Sequence, residues 1–298
     1  MSINTRQTVL LSGATGFLGS YLLRALLNNG YEVVATKRST SNTWRIQQQL
    51  SQIEVADVDA RPLSDLFERR RIDIVIHAAT CYGRKGESVK QIVESNLLFP
   101  LELLELARRH STLAFLNTDT VLPEGLNYYV LSKKQFLEYG HRFAEAAGPH
   151  FLNLRLEHIY GPYDDSGGFI PFLIRAFLRG ESHVDLTRGE QRRDFVYVDD
   201  AVEAYLLLMR NLENLSKPFA EYTIGSGEAS ELASVVRRIH QACGAETELR
   251  FGALPYRAGE VMHSQADIGP LQSLGWSPSV GLDTGLIRTI DTERRREC

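Results

Sequence analysis

Tyr129 and Lys133 stand four residues apart in Tyr128-Tyr129-Val130-Leu131-Ser132-Lys133-Lys134, at the head of a helix-forming segment that continues to about Ala147. Four residues are about 400° of helical rotation, so the phenol and the ammonium share one face. Tyr128 lies about 140° from Lys133 by the same geometry and is the poorer partner. An ammonium beside a phenol favours the phenolate and moves the tyrosine pKa down toward working pH. The hydroxyl then exchanges a proton with a substrate oxygen while hydride passes to or from the adjacent carbon. Just upstream, the apolar run Thr112–Leu116 leads into Asn117-Thr118-Asp119-Thr120. Polar side chains past the C-terminal end of a parallel strand sit where open α/β sheets hold their substrates.

A hydride carrier needs a cradle, and the N-terminus spells one. The β-branched run Thr8–Ser12 meets Gly13-Ala14-Thr15-Gly16-Phe17-Leu18-Gly19, and a helix former follows to Leu27, stopped by Asn28-Asn29-Gly30. Strand, glycine turn and helix in that order let backbone approach a pyrophosphate, with the free N–H groups and positive dipole end of the helix receiving its charge. The spacing is GxxGxxG where the common dinucleotide fingerprint is GxGxxG. Gly13, Thr15, Gly16, Phe17, Leu18 and Gly19 are the expected cofactor contacts. A second strand, Glu32–Thr36, ends in Lys37-Arg38-Ser39, with two cations where NAD-binding units place a carboxylate. Arginine there suits a 2′-phosphate, so NADP(H) is expected. A third strand over Ile53–Ala56 leads to Asp57-Val58, and a helix is expected over 63–71. Ile72–Ala79 reads as a central parallel strand closing on Ala78 and Ala79, small enough for a cofactor to lie close. His77 at its end is read as a packing residue. Val89–Arg109 reads as one long helix through Leu97, Leu101, Leu104 and Ala107.

These elements sit in a chain of 298 residues, long enough for one large domain or two modest ones. An apolar fraction of 43% and a charged fraction of 23% are those of an ordinary globule, and a net charge of −4 gives no basis for binding nucleic acid or an anionic membrane. Cys81, Cys243 and Cys298 lie too far apart to form a metal or disulfide pattern, which fits a reducing compartment, and no metal is expected. Met1 to Gln7 is short and polar, and no apolar run approaches the ~18 residues of a membrane span. A cytoplasmic enzyme is expected.

The motifs, taken in order, resemble the extended short-chain dehydrogenase/reductase family, in its nucleotide-sugar branch. Gly13–Gly19 is similar to its cofactor loop, Asp57-Val58 to its adenine contact and His77-Ala78-Ala79 to its strand under the nicotinamide side. Tyr129 and Lys133 match its catalytic pair. Asn153–Pro162, Arg193–Asp200, Arg257–Glu260 and Leu274–Pro278 match later blocks. The resemblance implies an α/β fold: a doubly wound parallel Rossmann sheet with a smaller C-terminal α+β substrate lobe. The NADP-binding domain would cover 1–160 with 190–215 returning to it, and the nucleotide-sugar lobe 161–189 and 216–298. It places Arg193 and Arg257 on the diphosphate and puts His158 where the family often carries asparagine. It implies a homodimer through helices 89–109 and 129–147; the charged tail over 293–298 is itself read as a frayed end.

Thr118-Asp119-Thr120 resembles the Thr-Asp-Glu of sugar-nucleotide 4,6-dehydratases, but Thr120 cannot abstract a carbon-bound proton. Dehydration is therefore expected to be disabled. Sugar 4-epimerases keep a tightly held NAD and usually show an acid after the second strand, which Lys37-Arg38 opposes. The expected reaction is NADPH-dependent reduction of a nucleotide-linked 4-keto-(deoxy)hexose at C4, as in the CDP-4-keto-deoxyhexose reductases. Tyr129 would protonate the oxygen, Thr118 hold it, Lys133 bind the nicotinamide ribose, and Asp119 serve as a hydrogen-bonding group toward substrate. The alternatives are a 4-epimerase with bound NAD and a non-catalytic NADP-binding regulator.

Overall fold

In the computed structural model, which describes residues 6–164, 167–215 and 217–297, the apolar β-branched runs become the middle of a seven-stranded sheet. Its strands are β1 (Thr8–Ser12), β2 (Glu32–Lys37), β3 (Glu54–Asp57), β4 (Ile74–His77), β5 (Ala114–Thr120) and β6 (His150–Leu156). After β7 (His158–Tyr160), β8 (His183–Leu186) and β9 (Arg192–Tyr197), the chain returns to this sheet as β10 (Phe219–Ile224). Two short strands follow, β11 (Ala229–Glu231) and β12 (Glu248–Phe251). The order β10-β6-β5-β4-β1-β2-β3 reverses on either side of β1, and β1 pairs in parallel with both β2 and β4, Leu11 facing Ala35 and Ile76. Every residue of β1 and β4 is buried, as strands covered on both faces require. Where the order reverses, the connections leave neighbouring strands in opposite directions and open a crevice at their C-terminal ends, the place where such sheets take ligands.

Helices α1 (Phe17–Asn28), α2 (Leu63–Arg69), α3 (Val89–Val93), α4 (Phe99–Arg109) and α5 (Tyr128–Glu145) connect these strands. Behind β4 and β5 an aromatic cluster fills the core. Phe115 stacks on Phe151 with centroids 5.5 Å apart, and Phe136 meets Phe151 edge-on at 5.9 Å. Burial of each such ring contributes about 1.5–3 kcal/mol. His77 lies among Phe99, Phe115 and Phe136, fully buried, with Nδ1 2.8 Å from Ser12 Oγ. Burial, and secondarily the charge of Lys133, holds its pKa well below the ordinary value, so it is a neutral packing residue.

The expected long helix over 89–109 is broken. A π-helical turn, Glu94–Leu98, separates α3 from α4, whose first turn carries Pro100. Proline has no N–H to continue the ladder, and the extra residue of the π turn turns Asn96 fully into the core.

The chain forms two compact units. The first runs to Arg155 and resumes over Tyr205–Tyr222; the second holds Leu156–Ala204 and the chain from Thr223 on. Residues 190–204, expected with the cofactor domain, belong to the second unit because β9 pairs with β7 and β11, and 217–222, expected with the substrate lobe, belong to the first through β10. The second unit adds a two-stranded β8–β12 sheet and helices α6 (Phe169–Leu178), α8 (Leu232–Cys243), α9 (Gly269–Gln272) and α10 (Leu282–Glu297). Helix α7 (Val198–Arg210) spans the division in sequence.

Two carboxylates of the Arg193–Asp200 block organise the second unit's loops. Asp194 accepts from the backbone N–H groups of Ser226, Gly227 and Ala266, at 2.6, 2.9 and 3.1 Å. Asp200 accepts from those of Ser279 and Val280, at 2.9 and 3.0 Å. The tail expected to fray is helical to Glu297, anchored by buried Glu293 against Arg175 at 3.0 Å. Of the other stretches singled out in the sequence, Met1–Thr5, Asp165, Ser166 and Cys298 lie outside the described residues. No helix among the described residues is long and apolar enough to cross a membrane.

Candidate active site

The glycine turn fits a dinucleotide. Gly13 has φ +79°, and a Cβ there would lie 2.5 Å from the backbone N of Ala79, so β1 and the end of β4 approach as closely as backbone allows. Gly16 caps α1 in extended conformation, and the first turn of α1 holds no acidic residue to compete with a phosphate for its amides. Ala78 N–H donates to Ser12 O at 3.1 Å, and Ala79 N–H to Ser12 Oγ at 3.4 Å. Thr15 is half-buried, whereas Phe17 and Leu18 are buried and anchor the helix start.

At the end of β2 the expected contacts are unequal. Lys37 Nζ lies 2.9 Å from Asp57 Oδ2, Ser39 Oγ donates to both Asp57 oxygens, and Ser39 N–H donates to Asp59 at 2.8 Å. The Lys37 contact, then the Ser39 hydroxyl, hold the Asp57 carboxyl below its usual range. Arg38 is exposed, and its guanidinium makes no hydrogen bond among the described residues, so it is the available cation here. Val58 N–H donates to Lys37 O at 2.9 Å and fixes the adjoining turn. Sequence reasoning missed Arg45, which donates to Thr15 O at 3.4 Å while its guanidinium lies 4.5 Å from the Trp44 ring centroid. Its only signal was one more arginine after the second strand.

Tyr129 and Lys133 come to one face of α5, as their spacing requires, whereas Tyr128 points to solvent. Lys133 is 2% exposed and its Nζ donates to Thr118 O at 2.7 Å. Burial lowers the Lys133 pKa to about 8, the charge of Asp119 opposing this. The expected depression of the tyrosine is reversed. Burial, then the neighbouring Tyr82 and Asp119, raise Tyr129 above its ordinary value, against a hydrogen bond from Thr120 and the charge of Arg84. Lys133 does not offset this, because its ammonium is directed to a backbone carbonyl. Tyr129 is therefore a protonated acid here.

The hydroxyl expected to hold the substrate oxygen and the carboxylate expected toward substrate are both engaged elsewhere. Thr118 Oγ1 is 2.8 Å from Tyr205 OH, and the hydroxyl that meets Tyr129 is that of Thr120, two residues on and on the same face of β5. Asp119, expected toward substrate, points to the other face with a fully buried side chain. It accepts from Lys134 Nζ at 2.8 Å, Asn153 Nδ2 at 3.0 Å and Thr120 N–H at 2.7 Å, so its hydrogen bonds are made within the first unit's interior. Lys134, next to Lys133 in sequence, was the available signal for this pairing.

In the second unit Arg193 is 8% exposed and bound to Glu260 Oε1 at 2.7 Å and to Arg192 O at 3.0 Å. Burial lowers its pKa and the Glu260 charge opposes that. Arg257 is exposed with no side-chain partner among the described residues. His158 Nδ1 is 3.4 Å from the buried carboxylate of Glu157, which also accepts from Ser264 Oγ at 2.7 Å. Glu157 was not foreseen, since a lone acid in the one-residue break between β6 and β7 has no spacing to mark it.

The NAD dependent epimerase/dehydratase family matches residues 9–225. CDP-abequose synthase of Salmonella typhimurium is 35% identical over 293 residues, covering 94% of this chain and 96% of that protein. A Thermus thermophilus UDP-glucose 4-epimerase solved in complex with NAD is 26% identical, with a TM-score of 0.82 over 97% of this chain and 99% of that one. The Thermotoga maritima UDP-glucose 4-epimerase with UDP-glucose shares the fold at a TM-score of 0.87 and 24% identity, over 98% and 100% of the chains. With the glycine cradle, the tyrosine–lysine pair and the sheet order all in place, the chain belongs to the NAD dependent epimerase/dehydratase family, among the extended short-chain dehydrogenase/reductase enzymes.

Proposed function

We propose that the protein reduces a nucleotide-linked 4-keto-(deoxy)hexose at C4 with NADPH, CDP-linked sugars favoured, as a cytoplasmic homodimer. The observation that carries this reading is Tyr129, held protonated by burial and hydrogen-bonded to Thr120 at the position where a dehydratase has its proton-abstracting glutamate. An acid of this kind gives a proton to an oxygen gaining charge. The dinucleotide would be held by the Gly13–Gly19 turn and Lys133, with Arg38 toward the 2′-phosphate, and when bound it supplies the hydride. Tyr129 delivers its proton to the carbonyl oxygen, and the Thr120 hydroxyl and the Arg84 charge stabilise the phenolate left behind. Arg257 is the available fork for the sugar nucleotide's diphosphate, while Arg193 reaches it only by sharing or leaving Glu260. The 35% identical CDP-abequose synthase supports the CDP preference. Leu98, Leu131 and Tyr139, exposed on α5 and on the π turn, are apolar surface suited to a second copy.

A 4-epimerase retaining NAD is the second reading, favoured by Asp57 and Asp59 gathered around Ser39 at the ribose end. Following NADPH absorbance against CDP-, dTDP-, UDP- and GDP-4-keto-6-deoxyhexoses separates the two. Stoichiometric oxidation with one of them is expected. Interconversion of two sugar nucleotides with no net redox would establish the epimerase, and tight NADP binding with no turnover would establish a regulator.

A further inference from the structure

The register between β4 and β5 ends at His77 and Asn117, and β5 runs on through Thr120. Onto that extension α5 sends two consecutive lysines. Lys133 Nζ donates to Thr118 O at 2.7 Å, and Lys134 Nζ donates to Thr120 O at 3.1 Å. Only Lys133 belongs to the tyrosine–lysine pair, and Lys134 is an addition beside it. Lys134 Nζ also meets Asp119 Oδ2 at 2.8 Å, and Asp119 Oδ1 accepts from Thr120 N–H at 2.7 Å. Lys134 and Asp119 thus hold Thr120 from both ends, one by its carbonyl and the other by its N–H. Its hydroxyl has a third fixture: Oγ1 accepts from Leu122 N–H at 3.2 Å, which leaves the hydroxyl proton to be donated.

The pair is anchored from behind. Asn153 Nδ2 donates to Asp119 Oδ2 at 3.0 Å and to Glu221 Oε2 at 2.7 Å, and Asn153 Oδ1 accepts from Asn117 Nδ2 at 2.8 Å. Asn117 and Asp119 lie on β5, Asn153 on β6 and Glu221 on β10, so three neighbouring strands fix one carboxylate. Asn117, Asn153 and the Asp119 side chain are fully buried, and the Lys134 side chain is 18% exposed. Taking a carboxylate and an ammonium out of water costs more than burying a hydrocarbon pair of the same volume. What this pair does that hydrocarbon could not is bond both polar groups of one backbone residue. That residue carries the hydroxyl that meets Tyr129.

We propose that Asp119 and Lys134 are positioning residues: by holding Thr120 at its N–H and at its carbonyl, they fix the direction of its hydroxyl toward Tyr129. The inference rests on the reading of Tyr129 as the proton donor in a keto-sugar reduction. As the proton leaves Tyr129 for the substrate oxygen, the Thr120 hydroxyl donates to the phenolate oxygen. A hydrogen bond to a charged acceptor is about twice as strong as one to a neutral phenol. That gain lowers the barrier only if the hydroxyl already stands in place, because a strand end free to shift must first be ordered. The β-branch of threonine helps, since χ1 is stiff once the backbone is set. Loss of the hold therefore slows the chemical step and leaves binding of cofactor and sugar nucleotide alone.

The test is a double-mutant cycle on the whole protein, with Lys134→Met, Thr120→Val and the two combined. Each is assayed with NADPH and whichever CDP-, dTDP-, UDP- or GDP-4-keto-6-deoxyhexose wild type reduces fastest. Lys134→Met and Thr120→Val are each expected to lower kcat about 10–10²-fold and to leave both KM values within about threefold. In the Thr120→Val background, Lys134→Met should cost less than about twofold, because the hydroxyl it serves is gone. Lys134→Arg, which keeps the charge and the donors, should recover kcat to within about threefold of wild type. Should Lys134→Met fail to fold, Asp119→Asn/Lys134→Met leaves no buried charge unpaired and should show the same loss. A second readout needs no turnover: three-bond couplings of the isotope-labelled Thr120 methyl should report one rotamer in wild type and averaging in Lys134→Met. Equal kcat losses in the two backgrounds, a raised KM with kcat unchanged, or one Thr120 rotamer in both proteins overturns the proposal. If wild type oxidises NADPH with none of the four sugars, the reductase reading itself fails, and the couplings still decide whether Lys134 places Thr120.

Discussion

Lys133 sets the pH behaviour of the site. Its pKa of about 8 in the folded protein lies below the ordinary lysine value of 10.5 because burial penalises the ammonium. The ammonium proposed to hold the nicotinamide ribose is present below pH 8 and lost above it, so NADPH affinity should fall with an apparent pKa near 8 in binding titrations across pH. The effect on stability has the opposite sense. Between pH 8 and about 10.4 the unfolded chain keeps a proton that the folded chain has given up, so stability from this group rises with pH through that window. The rise is on the order of 3 kcal/mol, and denaturant titrations should show it in wild type and not in Lys133→Met. Asp119 makes a second residue-scale case. Asp119→Asn leaves Lys134 without its carboxylate, and the expected loss is about 2 kcal/mol in urea unfolding. That loss should come with near-normal affinity for the sugar nucleotide, because the side chain is fully buried on the face of β5 opposite Thr118 and Thr120.

At the scale of elements, α5 combines chemistry and packing. Gly140 sits inside this helix, where replacement by alanine normally stabilises by about 0.5–1 kcal/mol. Here an added Cβ would run into the ring of Phe151, which is fully buried in the aromatic cluster. Gly140→Ala should therefore destabilise by about 1–3 kcal/mol in thermal or denaturant unfolding, reversing the usual sign. The strands of the large sheet were legible because buried parallel strands write themselves as unbroken apolar runs, and the Tyr129–Lys133 pair because helical spacing is fixed. The π turn at Glu94–Leu98 was not, since an extra residue disturbs the apolar period too little to be read. Which of Thr118 and Thr120 meets Tyr129 was also hidden. Both lie on one face of β5, and Tyr205, 87 residues away from Thr118, claims the first hydroxyl. Asp119 could not be placed for the same reason: its partners Lys134, Asn153 and Thr120 arrive from three elements.

For the whole molecule, the assignment of 190–204 to the second unit depended on strand pairing that local sequence does not specify, because β9 joins β7 and β11 across long stretches of chain. The exposed apolar residues of α5 and the π turn give the assembly prediction. Leu131→Asp should convert a dimer to a monomer in light scattering while leaving the fold intact by circular dichroism. On the NADPH reading proposed above, cofactor choice would be set at the end of β2. Arg38→Ala should weaken NADPH binding about tenfold or more and leave NADH affinity near wild type, measured by fluorescence titration. The account as a whole turns on Tyr129 delivering a proton as a keto sugar is reduced. Its most direct test is the stoichiometry and rate of NADPH oxidation with CDP-4-keto-6-deoxyglucose, in wild type and Tyr129→Phe. One NADPH consumed per keto sugar, with turnover falling by about 10²–10⁴ in the variant and NADPH affinity unchanged, is the expected result. A variant that turns over like wild type, or a wild type that converts the sugar with no net loss of NADPH, would contradict it.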